Sequence, residues 1–437
     1  LFFQNSRKAV LQLAQQLAAE AVHQVLTGRN LGVTLDAIFS RQRSLTPQQR
    51  GMTQDLSYGC LRQYGQLQAL LNQLLQKPLQ DERLRCLLLV AIYQLQQARA
   101  ASHTIVDQAV QASAQFKKPW VKGLTNAVLR NFLRQQDALL KNIDPSDDVA
   151  RYSYPQWWVN KLREQYPQDW EAMLLAGNQH PPMTLRVNRR HLSVEAYCQQ
   201  LADAGMPARP LGASAVALAQ PIPVERIPGF LEGDVSVQDA GAQWAAPWLD
   251  LSPGMRVLDA CCAPGGKTGH ILELADVDLV AMDSDAGRLR RTEENLQRLQ
   301  LKAQLVAGDA ADASGWWDGR PFDRILADVP CTASGIVRRH VDIKWLRREA
   351  DVGSFVRQQA LILPQLWQCL AKGGKLLYAT CSVFHEENQQ QIDRFLQQHA
   401  DAKQLPLSQD ASPHARHGQL YPCAAHDGFF YALLQKN

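Results

Sequence analysis

The 437-residue chain is 46% apolar and 20% charged, enough for two or three globular domains with substantial cores. Its net charge of +4 is uneven: residues 1–150 carry 17 Lys and Arg against 10 Asp and Glu, whereas 151–437 carry 29 against 32, so the front reads either as a face for a polyanion partner or as solvated helix surface. The densest apolar run, Cys86 to Tyr93, falls far short of the roughly 18 residues of a membrane span. No basic region precedes an apolar stretch as in a signal peptide, so a cytoplasmic monomer away from membranes is expected.

Residues 7–145 read as a helical bundle, with Leu1 to Gln4 set aside because they lack an initiator Met. Leu11, Leu13, Leu17, Val22 and Val25 recur at helical spacing, as do Leu67, Leu70, Leu71, Leu74 and Leu75. Pro78 and Lys118-Pro119 mark breaks, and the turn-rich Asn142 to Asp148 reads as a linker. Residues 150–235 change character, with Tyr152, Tyr154, Trp157 and Trp158 followed by the basic strand-like Thr184 to Arg190. Five prolines between Pro207 and Pro228 then break the pattern, which predicts a small α+β domain. From 236 to 437 the rhythm is strand, turn, helix. It predicts strands at Met255–Ala260, Leu279–Asp283, Gln304–Gly308, Phe322–Asp328 and Lys375–Thr380, helices at Lys267–Ala275 and Ala286–Leu299, and a helical stretch to Leu370 that Pro364 should kink. Glu386 to His399 reads as helix, and Phe429 to Leu434 as a closing antiparallel edge strand. Repeated βα units imply a mostly parallel, doubly wound α/β sheet.

The nine cysteines show neither framework spacing nor a C-x-x-C pair, so reduced thiols and no metal site are expected. Two of them follow predicted strands: Cys331 in D-V-P-C and Cys381 in T-C-S. The C-terminal ends of strands are where open α/β sheets bind ligands. Upstream lies the glycine-rich loop D-A-C-C-A-P-G-G-K-T, Asp259 to Thr268. It is not a phosphate loop, because Cys261 stands where that motif needs Gly. It still supplies a tight turn and a helix N-terminus whose N–H groups can receive a carboxylate. Asp283 ends the next strand and can accept both hydroxyls of a ribose; Asp309 ends V-A-G-D and suits an adenine amino group. Acids at successive strand ends without a phosphate cradle point to S-adenosyl-L-methionine.

These segments, with R-R-H-V-D-I-K-W and D-G-F-F-Y-A, resemble the RNA cytosine-5-methyltransferases, above all the bacterial 16S rRNA methyltransferase B group (Fmu/Sun), over nearly the whole chain. The front resembles NusB-type RNA-binding domains, especially in K-G-L-T-N-A-V-L-R (Lys122 to Arg130). The resemblance implies a Rossmann-like class I methyltransferase domain. It implies Cys381 as the thiolate that adds to carbon 6 of cytosine, Cys331 as an aid to product release, and Asp328 as a contact to cofactor or base. It assigns the cofactor to Cys261, Cys262, Ala263, Pro264, Gly265, Gly266, Lys267, Asp283, Asp309 and Asp328, and the substrate to 16S rRNA or a small-subunit assembly intermediate. Position alone does not divide the roles of the two thiols, because in DNA cytosine methyltransferases the Pro-Cys thiol attacks. Arg338, Arg339 and Lys344 are expected to grip RNA phosphates or to acidify a thiol, and Arg186, Arg189 and Arg190 to hold RNA. Val329 and Val341 replace the family's usual Ala and Pro, which bears on loop geometry but removes no reacting group. The rival reading is a catalytically silent RNA-binding assembly or antitermination-type factor, which would have no need of both cysteines and the cofactor loop.

Overall fold

The computed structural model describes residues 2–407 and 415–437. Contacts divide the chain into one unit of residues 1–178 with 337–348, and another of 179–336 with 349–437. This division differs from the three-segment reading of composition. Among the described residues, no helix is long and apolar enough to cross a membrane.

The first unit is helical. Seven helices, Phe2–Leu26, Leu31–Arg41, Pro47–Arg62, Tyr64–Leu74, Glu82–Gln97, Ser102–Ser113 and Pro119–Lys141, precede three short ones ending at Gly177. Thr46 and Gln49 form a reciprocal capping box with Pro47 at the first helical position, and Pro119 opens its helix in the same way. The run Cys86 to Tyr93 lies in Glu82–Gln97, which is buried without interruption from Leu84 to Leu95 and is therefore the central helix. Gly59 lets a neighbour approach: a Cβ there would lie 1.9 Å from Tyr93 Cζ. Tyr152, Tyr154 and Trp158, read from sequence as the start of the middle domain, are buried in this helical unit.

The segment R-R-H-V-D-I-K-W belongs to the same unit. Val341 is fully buried in its core. Asp342 Oδ2 accepts from Leu31 N and Asn30 Nδ2, both at 2.9 Å, placing a negative charge at the N-terminus of Leu31–Arg41. Lys344 Nζ donates to Arg62 O (2.9 Å) and Asn178 Oδ1 (2.8 Å), and Trp345 Nε1 to Leu61 O (2.8 Å), at the C-terminus of Pro47–Arg62. The expectation that Arg338 and Lys344 grip RNA is corrected here: they are 2% and 0% exposed. Burial pushes the Lys344 ammonium well below the ordinary lysine range.

The second unit holds two sheets. The smaller comprises β1 (Met183–Val187), β2 (Ala208–Pro210), β3 (Ala215–Leu218) and β4 (Val235–Val237), antiparallel in the order β2-β3-β1-β4. The larger comprises β5 (Arg256–Ala260), β6 (Asp278–Asp283), β7 (Gln304–Ala307), β8 (Phe322–Asp328), β9 (Leu370–Thr380), β10 (Ala402–Leu405), β11 (Ala415–Arg416), β12 (Gln419–Leu420) and β13 (Phe429–Lys436). Its order is β11-β12-β13-β9-β8-β5-β6-β7, with β10 also on β13. Strands β5 to β9 are parallel, as the βα rhythm predicts. β13 is antiparallel to β9 but is no edge, since β10 and β12 share its outer side. Strand order reverses between β5 and β8, which makes their carboxyl ends the switch point. Pro364 does not end the helix Glu349–Gln368. Leu363, Leu366 and Trp367 beside it are at most 2% exposed, and their burial offsets the one lost hydrogen bond.

The basic stretch Thr184 to Arg190 forms β1 and its exit, but Arg186 points inward and is 0% exposed. It donates to both Glu273 carboxylate oxygens (2.6 and 2.8 Å), to Gln238 Oε1 (2.6 Å) and to Gly266 O (2.7 Å). Arg190 reaches Asp276 Oδ1 at 2.7 Å and Glu273 O at 3.2 Å, and both it and Arg189 remain exposed, so of the three arginines only Arg186 is buried. An RNA-holding role for Arg186 is therefore withdrawn; its partner is the helix Gly266–Leu274 that follows the glycine-rich loop.

Candidate active site

The loop after β5 is shaped by its backbone. Cys261 takes φ 61° and Gly265 φ 89°, both in the left-handed region, with a cis bond between Ala263 and Pro264. A Cβ on Gly265 would meet Thr292 Cγ2 at 2.7 Å, so glycine is required on steric grounds as well. Cys262 N donates to Met282 O and Gly265 N to Cys262 O, closing the turn. The helix Gly266–Leu274 then begins without a side-chain cap, leaving its first N–H groups for a ligand. Burial pushes both the Cys261 and Cys262 thiols up, which suits backbone contributors rather than reactive thiols.

Asp283, at the end of β6, is 2% exposed. Its Oδ2 accepts from Ala263 N (3.1 Å) and its Oδ1 from Asp285 N (3.0 Å), so it braces the loop while each oxygen retains a second lone pair. Asp309 is exposed after β7 and accepts from Ala311 N at 2.9 Å. Uncapped N–H groups, a buried acid and an exposed acid along successive strand ends form a donor and acceptor set that fits an amino-acid-bearing adenosine.

Asp259 is fully buried beneath the loop. Thr268 Oγ1 donates to its Oδ2 at 2.7 Å, and its Oδ1 has no protein partner. Burial, against the Thr268 hydrogen bond, raises its carboxyl from 3.8 to about 7, and the charges of Asp328 and Asp283 add to the effect. Because the folded value lies above the unfolded one, the protonated form stabilises the fold. That contribution is complete below about pH 4 and is lost as pH rises through about 7. Asp259→Asn keeps the acceptor for Thr268, so wild type should lose stability relative to the variant between pH 4 and 7, by up to ~1.4 kcal/mol per pH unit. Urea unfolding of both proteins across that window measures the difference. Parallel curves would mean that Asp259 does not titrate there.

The two cysteines meet at the adjacent end of the same sheet edge. β8 and β9 are parallel with Asp328 opposite Ala379, and Val329 N extends the ladder to Ala379 O. Cys331 and Cys381 consequently lie with their sulfurs 3.3 Å apart. The Cys331 loop folds back so that Gly335 N donates to Cys381 O at 2.8 Å, while Gly428 N donates to Gly335 O at 2.9 Å. A Cβ on Gly335 would lie 2.2 Å from Gly428 O. Cys381 is half-buried; Cys331 is 9% exposed. The hydrogen bond to Cys381, then burial, then the charges of Cys381 and Glu387 push the Cys331 thiol well up.

Lys267 Nζ lies 2.6 Å from Asp328 Oδ2. Burial works to lower the lysine, but the charge of Asp328 and its hydrogen bond, with Cys381 and Asp259 behind them, outweigh it and hold the ammonium above its ordinary value. The cation facing the thiol site is thus Lys267, not Lys344. Sequence reading placed Lys267 only in the cofactor loop and passed over Glu387, which is tied to both cysteine turns. The available signal for Glu387 was its position: an acid six residues after Cys381, just beyond a strand end.

Known proteins resemble this chain in sequence and fold. Residues 246–435 match the family model described as 16S rRNA methyltransferase RsmB/F, 154–225 the RsmF/B-like ferredoxin-like domain, and 4–134 the NusB family. The ribosomal RNA small subunit methyltransferase B of Pseudomonas putida is 46% identical over 96% of this chain and 97% of its own. That of Escherichia coli O7:K1 is 43% identical over 97% and 98%. A solved methyltransferase homologue from Pyrococcus horikoshii superposes with a TM-score of 0.59 at 29% identity, covering 68% of this chain and all of that one. NSun6 from the same organism gives 0.59 at 19%, covering 65% and 99%, a likeness of fold alone. Fold and site together define a Rossmann-like methyltransferase with a helical NusB domain and a ferredoxin-like domain before it. Within that class the chain belongs to the 16S rRNA methyltransferase RsmB/F family.

Proposed function

We propose that this protein transfers a methyl group from S-adenosyl-L-methionine to carbon 5 of a cytosine in 16S rRNA. The reading is carried by the pair Cys331 and Cys381, 3.3 Å apart at parallel strand ends beside Lys267 and Asp328. S-adenosyl-L-methionine supplies an electrophilic methyl group when bound. The turn from Cys261 to Lys267 would hold its amino-acid end, Asp283 its ribose hydroxyls and Asp309 its adenine.

Carbon 5 of cytosine is a poor nucleophile until a thiolate adds at carbon 6. The base, turned out of its stack, takes a bond from Cys381 Sγ to carbon 6, which raises electron density at carbon 5. Asp328, oriented by Lys267, accepts a hydrogen bond from nitrogen 3, which takes its proton from solvent as the thiolate adds. After methylation carbon 5 gives up its proton to water, the ring double bond re-forms as the sulfur–carbon bond breaks to leave the Cys381 thiolate, and nitrogen 3 returns its proton to solvent. Cys331, kept as a thiol, donates to Cys381 Sγ and stabilises the departing thiolate. The basic front, with Arg189 of the middle domain, would hold RNA through phosphate contacts and shape, and the chain acts as a monomer.

The test is methyl transfer by the full chain to unmodified 16S rRNA, naked or in small-subunit particles, followed by nucleoside mass spectrometry. The expected product is 5-methylcytidine at one position. Methylation at a base nitrogen would overturn the reaction, and no transfer to either substrate would favour the RNA-binding factor.

A further inference from the structure

Resting on that reaction, we infer that Glu387 is the positioning residue that sets the distance between the two thiols. It is 0% exposed and takes four donors, three from the segments around the cysteines and one from the helix Glu349–Gln368. Its Oε1 accepts from Thr332 N (2.8 Å) and Gln359 Nε2 (3.3 Å); its Oε2 accepts from Thr332 Oγ1 (2.6 Å) and Ser382 Oγ (2.5 Å). Thr332 directly follows Cys331 and Ser382 directly follows Cys381. One carboxylate therefore grips the residue after each thiol. Gln359 extends the grip by donating also to Pro330 O, before Cys331, at 2.9 Å.

The rest of the network closes around this group. Ser334 Oγ lies 2.9 Å from Ser382 Oγ and accepts from Val383 N at 2.9 Å. Asn388, next to Glu387, accepts from Thr380 Oγ1 (2.6 Å) and donates to Ser382 O (2.9 Å), holding the other side of the Cys381 turn. Among the described residues no cation pairs with Glu387, so its charge is compensated by neutral donors alone. Such a carboxylate is costly to bury and is retained where the hydrogen bonds it collects fix a geometry. Only a carboxylate offers four acceptor positions in this pattern; an amide turns one end into a donor facing the donors of Thr332 and Ser382 or of Thr332 and Gln359.

Two readouts on the full chain test this. Glu387→Gln should lower the single-turnover rate of methyl transfer by about 100-fold while the KM for S-adenosyl-L-methionine changes less than about twofold, since a misplacement on the scale of 1 Å is enough for such a loss. Ser382→Ala, which removes one of the four donors and serves should the first variant misfold, should lose about tenfold with KM again held. Second, diamide joins adjacent thiols as a disulfide, taking two electrons and two protons from the pair and becoming a hydrazine. Wild type should cross-link Cys331 to Cys381 rapidly, Glu387→Gln at least tenfold more slowly, each read by peptide mass spectrometry. A folded Glu387→Gln protein with wild-type turnover and cross-linking would overturn the inference and leave the proposed reaction standing. If wild type makes no 5-methylcytidine, the reaction fails instead, and slowed cross-linking alone still reports what Glu387 holds.

Discussion

Cys331→Ala, incubated with unmethylated 16S rRNA and S-adenosyl-L-methionine, is expected to accumulate a covalent protein–RNA adduct on a denaturing gel. Cys381→Ala should form none and lose methyl transfer by at least about a thousandfold, the scale on which removal of a nucleophile acts. Both thiols follow parallel neighbouring strands, so the assignment rests on what distinguishes their surroundings. Cys381 is half-buried and directly follows β9. Cys331 is 9% exposed and its thiol is pushed well up, so in the proposed reaction it keeps its proton and donates to Cys381, whose sulfur lies 3.3 Å away. Loss of Cys331 removes that donor, slows expulsion of Cys381 from the methylated base and traps the adduct. An adduct in Cys381→Ala with none in Cys331→Ala would reverse the roles and give the DNA-type assignment. Absence of adduct in both, with wild type inactive, would favour a silent RNA-binding factor.

The parallel sheet was legible because each buried strand is a short apolar run ending in a polar turn, and the acids and thiols of interest stand at those ends. Cys331 and Cys381 were therefore placed on one sheet edge before any coordinates, although not at a stated distance. Basic residues were the misleading class. In T-L-R-V-N-R-R the strand period sends Leu185 and Val187 to one face and Arg186 to the other, which sequence alone gives to solvent. That other face is covered by the helix Gly266–Leu274, whose Glu273 lies 87 residues away in sequence. R-R-H-V-D-I-K-W reads as a surface patch for the same reason, yet Lys344 spends its donors on a helix-end carbonyl and Asn178. Glu387 escaped notice because an acid in a polar, helix-like run is ordinarily a solvated one. Long-range partners decide all three cases, and local pattern carries no record of them.

The Arg186 correction carries a large expected effect on stability. Arg186 and Glu273 are 0% and 4% exposed, and their two bonds are 2.6 and 2.8 Å long. Arg186→Met leaves the Glu273 carboxylate buried without its cation and should cost about 3–5 kcal/mol in urea unfolding of the second unit. Glu273→Leu alone should cost a similar amount by stranding the guanidinium. The double variant should recover most of the loss, because two apolar side chains of comparable volume leave no uncompensated charge. Strictly additive losses would mean the pair is solvated and weakly coupled. Arg186 also holds Gly266 O at the first residue of the helix proposed to receive the cofactor's amino-acid end, so the single variant should bind S-adenosyl-L-methionine more weakly even where it remains folded. RNA affinity separates this role from a phosphate contact. A buried Arg186 releases no counterion from RNA, so its loss leaves the salt dependence of binding unchanged. Loss of an exposed phosphate-contacting Arg189 should lower the slope of log K against log salt by roughly 0.7–0.9. A reduced slope in Arg186→Met would return that arginine to the RNA-facing surface and undo the correction.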